Sequence, residues 1–261
     1  MVTAKNRFEY VQRSIRCYID QKYPNKELII INEGPTDYQA QIDTHVKNLN
    51  RPDIRCLWLN GVYTLGALRN ISMSVADGEY FCQWDDDDYC LPFRLMSQYS
   101  YLSQNSCALA CFFSDQLQYF FQTRELYWSD WKMYCNGGNL KYSLIPGTIF
   151  AKIDLGIKYP SDGQYCRAGE DSVLSDALIE RDVNSVITLS GGTMHAYTHH
   201  GSNVYDIEHH KNIVNSRSHH YEFMIKNRSV ITKALKYYAF SNDVRVMSRE
   251  GLAFIYHAKT S

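Results

Sequence analysis

With 261 residues, 45% of them hydrophobic and 21% charged, the chain has the composition of an ordinary globular protein and enough length for one large or two small domains around a buried core. Its 27 basic and 28 acidic side chains leave a net charge of −1, which excludes a global field drawing it to nucleic acid or acidic lipid. Eight cysteines show neither a C-x-x-C pair nor zinc spacing, so they read as reduced thiols, Cys107 and Cys111 as core residues. The chain start has no long apolar region, and the longest strongly apolar block, Leu28 to Ile31, is too short to span a bilayer. The expected location is cytoplasmic, at most peripheral to a membrane, with no transmembrane segment.

In chain order, Met1 to Thr3 reads as the tail of a strand. Asn6 then offers an N-cap to a helix carrying Phe8, Val11, Ile15, Tyr18 and Ile19 at helical spacing. Tyr23-Pro24-Asn25 breaks that helix, and Leu28 to Ile31 is a continuous buried strand ended by Asn32-Glu33-Gly34-Pro35. A second helix runs from about Asp37, with Tyr38, Ile42, Val46 and Leu49 aligned, and Ile54 to Leu59 is a third strand. Leu65 to Ala76 is the third helix, followed by an apolar run from Tyr80. Strands alternating with helices in this way predict βαβ units and a mostly parallel central sheet flanked by helices.

Beyond Pro92 a helix carries Leu95, Tyr99 and Leu102, Cys107 to about Phe121 is β-rich, and Gln122 to Leu144 is aromatic and irregular. Ile145 to Phe150 reads as a strand, Glu170-Asp171 opens a helix, and Val183 to Leu189 is the last clear strand. From about Ile207 polar and apolar residues alternate at helical spacing, which predicts a helical tail rich in His, Lys and Arg. No internal repeat or low-complexity tract is present. The six histidines of the pairs 199/200, 209/210 and 219/220 do not read as a zinc site, because adjacent side chains diverge and no cysteine completes a tetrahedron.

The chemistry concentrates at Gln83-Trp84-Asp85-Asp86-Asp87-Asp88-Tyr89. Four successive carboxylates repel one another and call for a counter-charge. A divalent cation is the usual one, since Mg²⁺ and Mn²⁺ prefer oxygen ligands and keep positions open for water and phosphate. The alternative is a solvated acidic turn ahead of the helix at Pro92. Parallel sheets bind ligands beyond the carboxyl ends of their strands, and both Glu33 and the Asp85–Asp88 run fall there.

Several ordered stretches resemble the family 2 glycosyltransferases of the GT-A fold: Arg13-Ser14-Ile15 through Ile31, Leu65 to Asn70, Ala76 to Tyr80, Asp85 to Asp88 with Pro92 following, Gly169-Glu170-Asp171, and His200-Gly201-Ser202-Asn203. The resemblance covers roughly residues 1–205. It implies a glycosyltransferase domain of two halves, 1–105 for nucleotide and 106–205 for acceptor and catalysis, the latter with a small β-rich region. Residues 206–261 would be a helical extension. The activity it implies is transfer of a sugar from a nucleotide-diphosphate donor to a glycan, lipid-linked or other hydroxyl acceptor, with inversion, using Mn²⁺ or Mg²⁺ and no nucleic acid. By the same resemblance Asp87, Asp85 and His200 are metal-site residues, and Thr3, Arg7, Glu33, Arg69, Asp85 and Asp86 bind the nucleotide. Asp171 is the general base, with Glu170 beside it raising its proton affinity.

The sequence departs from the family pattern twice. The family's first strand carries several more residues before the position of Val2-Thr3, and Glu33-Gly34-Pro35 stands where Asp followed by Gly-Ser is commoner. Two other readings stand beside the transferase. A sugar nucleotidyltransferase needs a glycine-rich basic loop after its first strand, and Ala4-Lys5-Asn6-Arg7 has no glycine. A non-catalytic nucleotide- or carbohydrate-binding relic would have no use for the intact acids.

Overall fold

The structure is a computed structural model that describes residues 1–3, 7–134 and 139–258. Its first half follows the alternation read from the sequence: α1 (Phe8–Ile19), β1 (Leu28–Asn32), α2 (Thr36–Leu49), β2 (Ile54–Trp58), α3 (Leu65–Ser74), β3 (Tyr80–Cys82), β4 (Tyr89–Cys90) and α4 (Arg94–Ser103). β1 and β2 pair in parallel from Leu28↔Ile54 to Asn32↔Trp58, and Val2 bridges Ile31 on the other side of β1. Every residue of β1 is buried, as its unbroken apolar run requires, with Ile30 and Ile31 wholly inaccessible. Each such side chain contributes about 1.5–3 kcal/mol by burial. Leu28 and Ile30 pack with Val11, Ile15, Tyr18, Ile42, Trp84 and Leu95 in a core beneath this half of the chain. The expected cap Asn6 lies outside the described residues, and Arg7 holds the N-cap position of α1.

The second half is more strand-rich than its sequence announced. β5 (Ala110–Phe113), β6 (Asp115–Phe120) and β7 (Glu125–Asp130) are followed by β8 (Phe150–Lys152), α5 (Glu170–Arg181), β9 (Val186–Leu189) and β10 (His195–His199). Two mixed sheets result, in the orders β3-β8-β5-β9 and, once the tail strands β11 (Val244–Ser248) and β12 (Gly251–Tyr256) are included, β12-β11-β7-β6-β10-β4. The sheet is therefore less parallel than expected. β1/β2, β5/β9, β6/β10 and β7/β11 run parallel, whereas β3/β8, β5/β8, β6/β7, β4/β10 and β11/β12 run antiparallel. The reason is local: Gln122-Thr123-Arg124 is a short polar turn that folds β7 straight back on β6.

Pro146 to Thr148 forms a single 3₁₀ turn where a strand was expected, with β8 starting only at Phe150, because the proline has no N–H to donate to a ladder. Cys107 is exposed rather than buried, while Cys111 is in the core. The tail carries three helices, α6 (Ile207–Arg217), α7 (Tyr221–Lys226) and α8 (Arg228–Tyr238). It then turns into a hairpin, β11 (Val244–Ser248) and β12 (Gly251–Tyr256), that joins β7. Val244 and Val246, one strand period apart, share a core with Leu117, Leu126, Ile231 and Leu235. Among the described residues no helix is long and apolar enough to cross a membrane.

Candidate functional site

Asp85 to Asp88 lie between β3 and β4, and what holds them there is β10, a strand the sequence reading passed over. Antiparallel pairing of Ala196 with Tyr89 and of His195 with Cys90 clamps the residues just after the run. The Thr198 backbone N–H then donates to Asp88 Oδ1 at 2.9 Å and the Thr198 hydroxyl to the Asp87 carbonyl at 2.6 Å. The signal for β10 was present in the β-branched and aromatic content of Ala196-Tyr197-Thr198 after Gly191-Gly192. The run is not a solvated turn, for Asp86, Asp87 and Asp88 are all buried.

Each carboxylate is met by a partner, and two of them share one. Asp85 accepts from Arg69 at 3.1 Å and from Gln83 Nε2 at 3.1 Å. Burial alone would raise its pKa, but Arg69 and Gln83 outweigh it and hold the carboxyl below the usual range. Asp86 Oδ1 lies 3.2 Å and Asp87 Oδ2 2.9 Å from the same Arg7 nitrogen, Nη1. Asp87 Oδ2 also lies 2.9 Å from His200 Nε2. Asp88 differs in kind: burial, then repulsion from Asp87 and Asp85, drives its pKa well up. Its neighbour His195, 3.2 Å away, is pushed down to about 3 by burial and then by Arg94. Burial thus disfavours charge on both groups, and on its other side His195 Nδ1 lies 2.7 Å from Gln116 Oε1.

The expected catalytic pair meets this run across one arginine. Gly169, with φ +78° in the left-handed region, caps α5 and turns Glu170 and Asp171 into its first turn. Arg69, buried on α3, spans from Asp85 to Glu170, whose carboxylate it meets at 2.9 Å. Expected near the base, Arg69 is in contact with the acids, and is the counter-charge that ties the acidic run to the first turn of α5. Asp171 accepts from the Ser172 N–H at 2.7 Å. Burial, and then the neighbouring Glu170, push its carboxyl up to about 6.

Gly147 sits in the gap between the two sets of acids. A Cβ built on it would lie 3.3 Å from Asp171 Oδ2, 3.4 Å from Gln83 Nε2 and 3.8 Å from Asp85 Oδ2, so the two carboxylates face each other over a bare backbone. At the other end, Glu33 accepts the Tyr63 N–H, Asn32 ties Gly34 to the Thr3 carbonyl, and the Thr3 hydroxyl meets Tyr38 at 2.7 Å. Thr3, Arg7, Glu33, Arg69, the four aspartates, Glu170 and Asp171 line one cleft of 1090 Å³. His200 reaches it through Asp87. Trp131, Tyr142, Tyr205 and Arg217 line the same cleft, while Trp128 is buried with its indole N–H on Asp115.

Three residues assigned no role from the sequence support the run. Arg13 donates to the Asp87 carbonyl and lies over the Tyr89 ring at 3.9 Å. Buried Arg94 donates to the Gln83 carbonyl at 3.0 Å, and the Tyr159 hydroxyl donates to Gln83 Oε1 at 3.1 Å. They act only after folding brings distant segments together, so neither spacing nor composition marks them.

This order of elements and acids is that of a known family, whose model, Glycosyl transferase family 2, matches residues 1–178. The chain belongs to glycosyl transferase family 2. Among curated relatives, an uncharacterized glycosyltransferase of Haemophilus influenzae is 33% identical over 107 residues, 40% of this chain and 32% of that protein. The putative colanic acid biosynthesis glycosyl transferase WcaA of Escherichia coli is 35% identical over 92 residues, 34% of this chain and 32% of that one. The matches thus span about a third of these relatives' length. Among solved structures, S. aureus TarS 1-349 in complex with UDP-GlcNAc superposes with a TM-score of 0.59 at 17% identity, over 90% of this chain and 65% of that one. That likeness establishes the shared GT-A fold.

Proposed function

We propose that the protein is a metal-dependent, inverting glycosyltransferase of polysaccharide biosynthesis. It would take a sugar from a nucleoside-diphosphate donor to an acceptor hydroxyl. The observation that carries this reading is the facing of Asp171, with its raised pKa, and the Asp85 carboxylate across Gly147, in the cleft that Asp86 and Asp87 also line. Names printed for relatives point the same way: WcaA for colanic acid, TuaG of Bacillus subtilis for teichuronic acid, and TarS structures holding UDP or UDP-GlcNAc.

The donor set fits a small hard cation. Asp87 Oδ2 and His200 Nε2 stand 2.9 Å apart, close to the separation of two neighbouring ligands on bonds of about 2.1 Å at right angles. Ser202 Oγ, 3.0 Å from His200 Nδ1, can donate or accept, so the ring can turn a lone pair toward the site at Nε2. Among the described residues no third His, Cys, Asp or Glu joins them. That suits an ion that takes its remaining ligands from diphosphate oxygens and water. When bound, Mn²⁺ or Mg²⁺ would supply charge against the leaving diphosphate.

Asp171 takes the proton of the acceptor hydroxyl as its oxygen attacks the anomeric carbon from the face opposite the diphosphate. The bond from that carbon to the phosphate oxygen breaks, and the nucleoside diphosphate leaves with the electron pair. A base with a pKa of about 6 is ionised at neutral pH yet retains proton affinity. Arg69 fixes Asp85 and Glu170, and so the position of the first turn of α5. On this reading Glu33 would accept an N–H from the nucleobase, with Thr3 and Asp86 along the nucleoside.

The test is release of nucleoside diphosphate from a panel of nucleotide sugars with Mn²⁺. Turnover of one donor, abolished by Asp87→Ala, is expected. Synthesis of a sugar nucleotide from a nucleoside triphosphate would overturn the reading in favour of a nucleotidyltransferase.

A further inference from the structure

Arg7 holds the one carboxylate oxygen that the cation needs. Its Nη1 lies 2.9 Å from Asp87 Oδ2 and 3.2 Å from Asp86 Oδ1, while its Nη2 donates to the Ser202 carbonyl at 2.7 Å. His200 Nε2 meets the same Asp87 Oδ2. A guanidinium here already neutralises two buried aspartates, and its own pKa is raised by those two carboxylates, which outweigh its burial. A metal ion arriving alone would have to displace it and leave an arginine facing a dication. A diphosphate arriving with the metal changes that balance, because its oxygens offer Arg7 a bidentate partner of the kind it gives up.

Resting on the metal-site reading above, we propose that Arg7 is a positioning residue that makes cation entry conditional on the donor's diphosphate. The Asp87–His200 pair accepts the metal–nucleotide complex and bars the free ion. Because binding couplings are reciprocal, whatever factor the nucleotide adds to metal affinity the metal adds to nucleotide affinity. The loop from His200 to Asn203 takes part: Arg7 holds it at Ser202, and the Asn203 side chain holds the His200 N–H at 3.0 Å. Release of Arg7 therefore frees the His200 ring as well as Asp87.

The experiment is Mn²⁺ binding followed by the electron paramagnetic resonance signal of the free ion, with and without UDP, for the wild type, Arg7→Met and Arg7→Gln. The wild type should bind Mn²⁺ weakly alone and at least about tenfold more tightly with UDP, the worth of one charge-assisted hydrogen bond. Both variants should bind Mn²⁺ alone more tightly than the wild type by a similar factor, with the UDP effect correspondingly reduced. A gain of affinity cannot come from a damaged fold, and Gln retains a donor for the Ser202 carbonyl. Equal affinity of all three proteins for Mn²⁺ without UDP overturns the role of Arg7 while leaving the metal site standing. Failure of the wild type to bind Mn²⁺ even with saturating UDP overturns both.

Discussion

Replacing the base should make the protein more stable while stopping transfer. Asp171 carries a pKa of about 6 against an ordinary value of 3.8, a rise of about two units. At about 1.4 kcal/mol per unit, ionisation of Asp171 in the folded state costs roughly 3 kcal/mol. Asn keeps the acceptor for the Ser172 N–H and removes the charge, so Asp171→Asn should gain up to about 3 kcal/mol at pH 8. The sign follows from the proton count. Between pH 4 and 6 the folded protein binds more protons than the unfolded one, so wild-type stability falls as pH rises through that window and the variant does not share the fall. Urea unfolding at pH 4, 6 and 8 measures it, alongside donor turnover. A variant no more stable than the wild type at pH 8, or a gap that fails to widen between pH 4 and 6, would refute the reasoning.

Four further outcomes follow from the same site. Transfer catalysed by Asp171 as base should rise with pH through about 6 and level off, as kcat/KM across a pH series will show. Arg69→Met strands two carboxylates, Asp85 and Glu170, and should cost about 3–5 kcal/mol in urea unfolding; a loss under about 1 kcal/mol contradicts the bridging role. Gly66→Ala drives a methyl to 1.9 Å from the Pro160 carbonyl oxygen, a backbone atom that cannot swing aside, and should lower stability by about 1–3 kcal/mol or more. Gly147→Ala, by contrast, crowds Asp171 and Gln83 by only a few tenths of an ångström, so turnover should fall while the unfolding midpoint stays near that of the wild type.

How much of this was legible in the residues depends on the range of the forces involved. The helices α1 to α5 and the strands β1 and β2 were written in local periodicity, since each buries one stripe or a whole strand. The acids at 85–88 and 170–171 were legible as motifs because charge at a strand end or a helix start has a local cause. The hairpin β11–β12 and the strand β10 were not, for each is stabilised by neighbours more than 70 residues away and has only a short pattern of its own. The bridging place of Arg69 was hidden for the same reason: its partners Asp85 and Glu170 lie 16 and 101 residues on. The Asp88–His195 contact was hidden further still, because only the fold brings that histidine to the acidic run and buries both groups.

The attachment of β11 to β7 bears on how the protein comes to exist. Val246 pairs with Leu126, so the sheet built on β6 and β7 waits for residues made 120 positions later. Ribosomal synthesis adds about 5–20 residues per second, so β6 and β7 emerge several seconds before the strand that covers their edge. During that interval the open edge of β7 is a template for any passing strand. β1, β2 and the helices beside them can pair while the ribosome is still at work, but β3 and β4 wait for β8 and β10. A chaperone that holds β7 until the hairpin arrives would act on this step of folding.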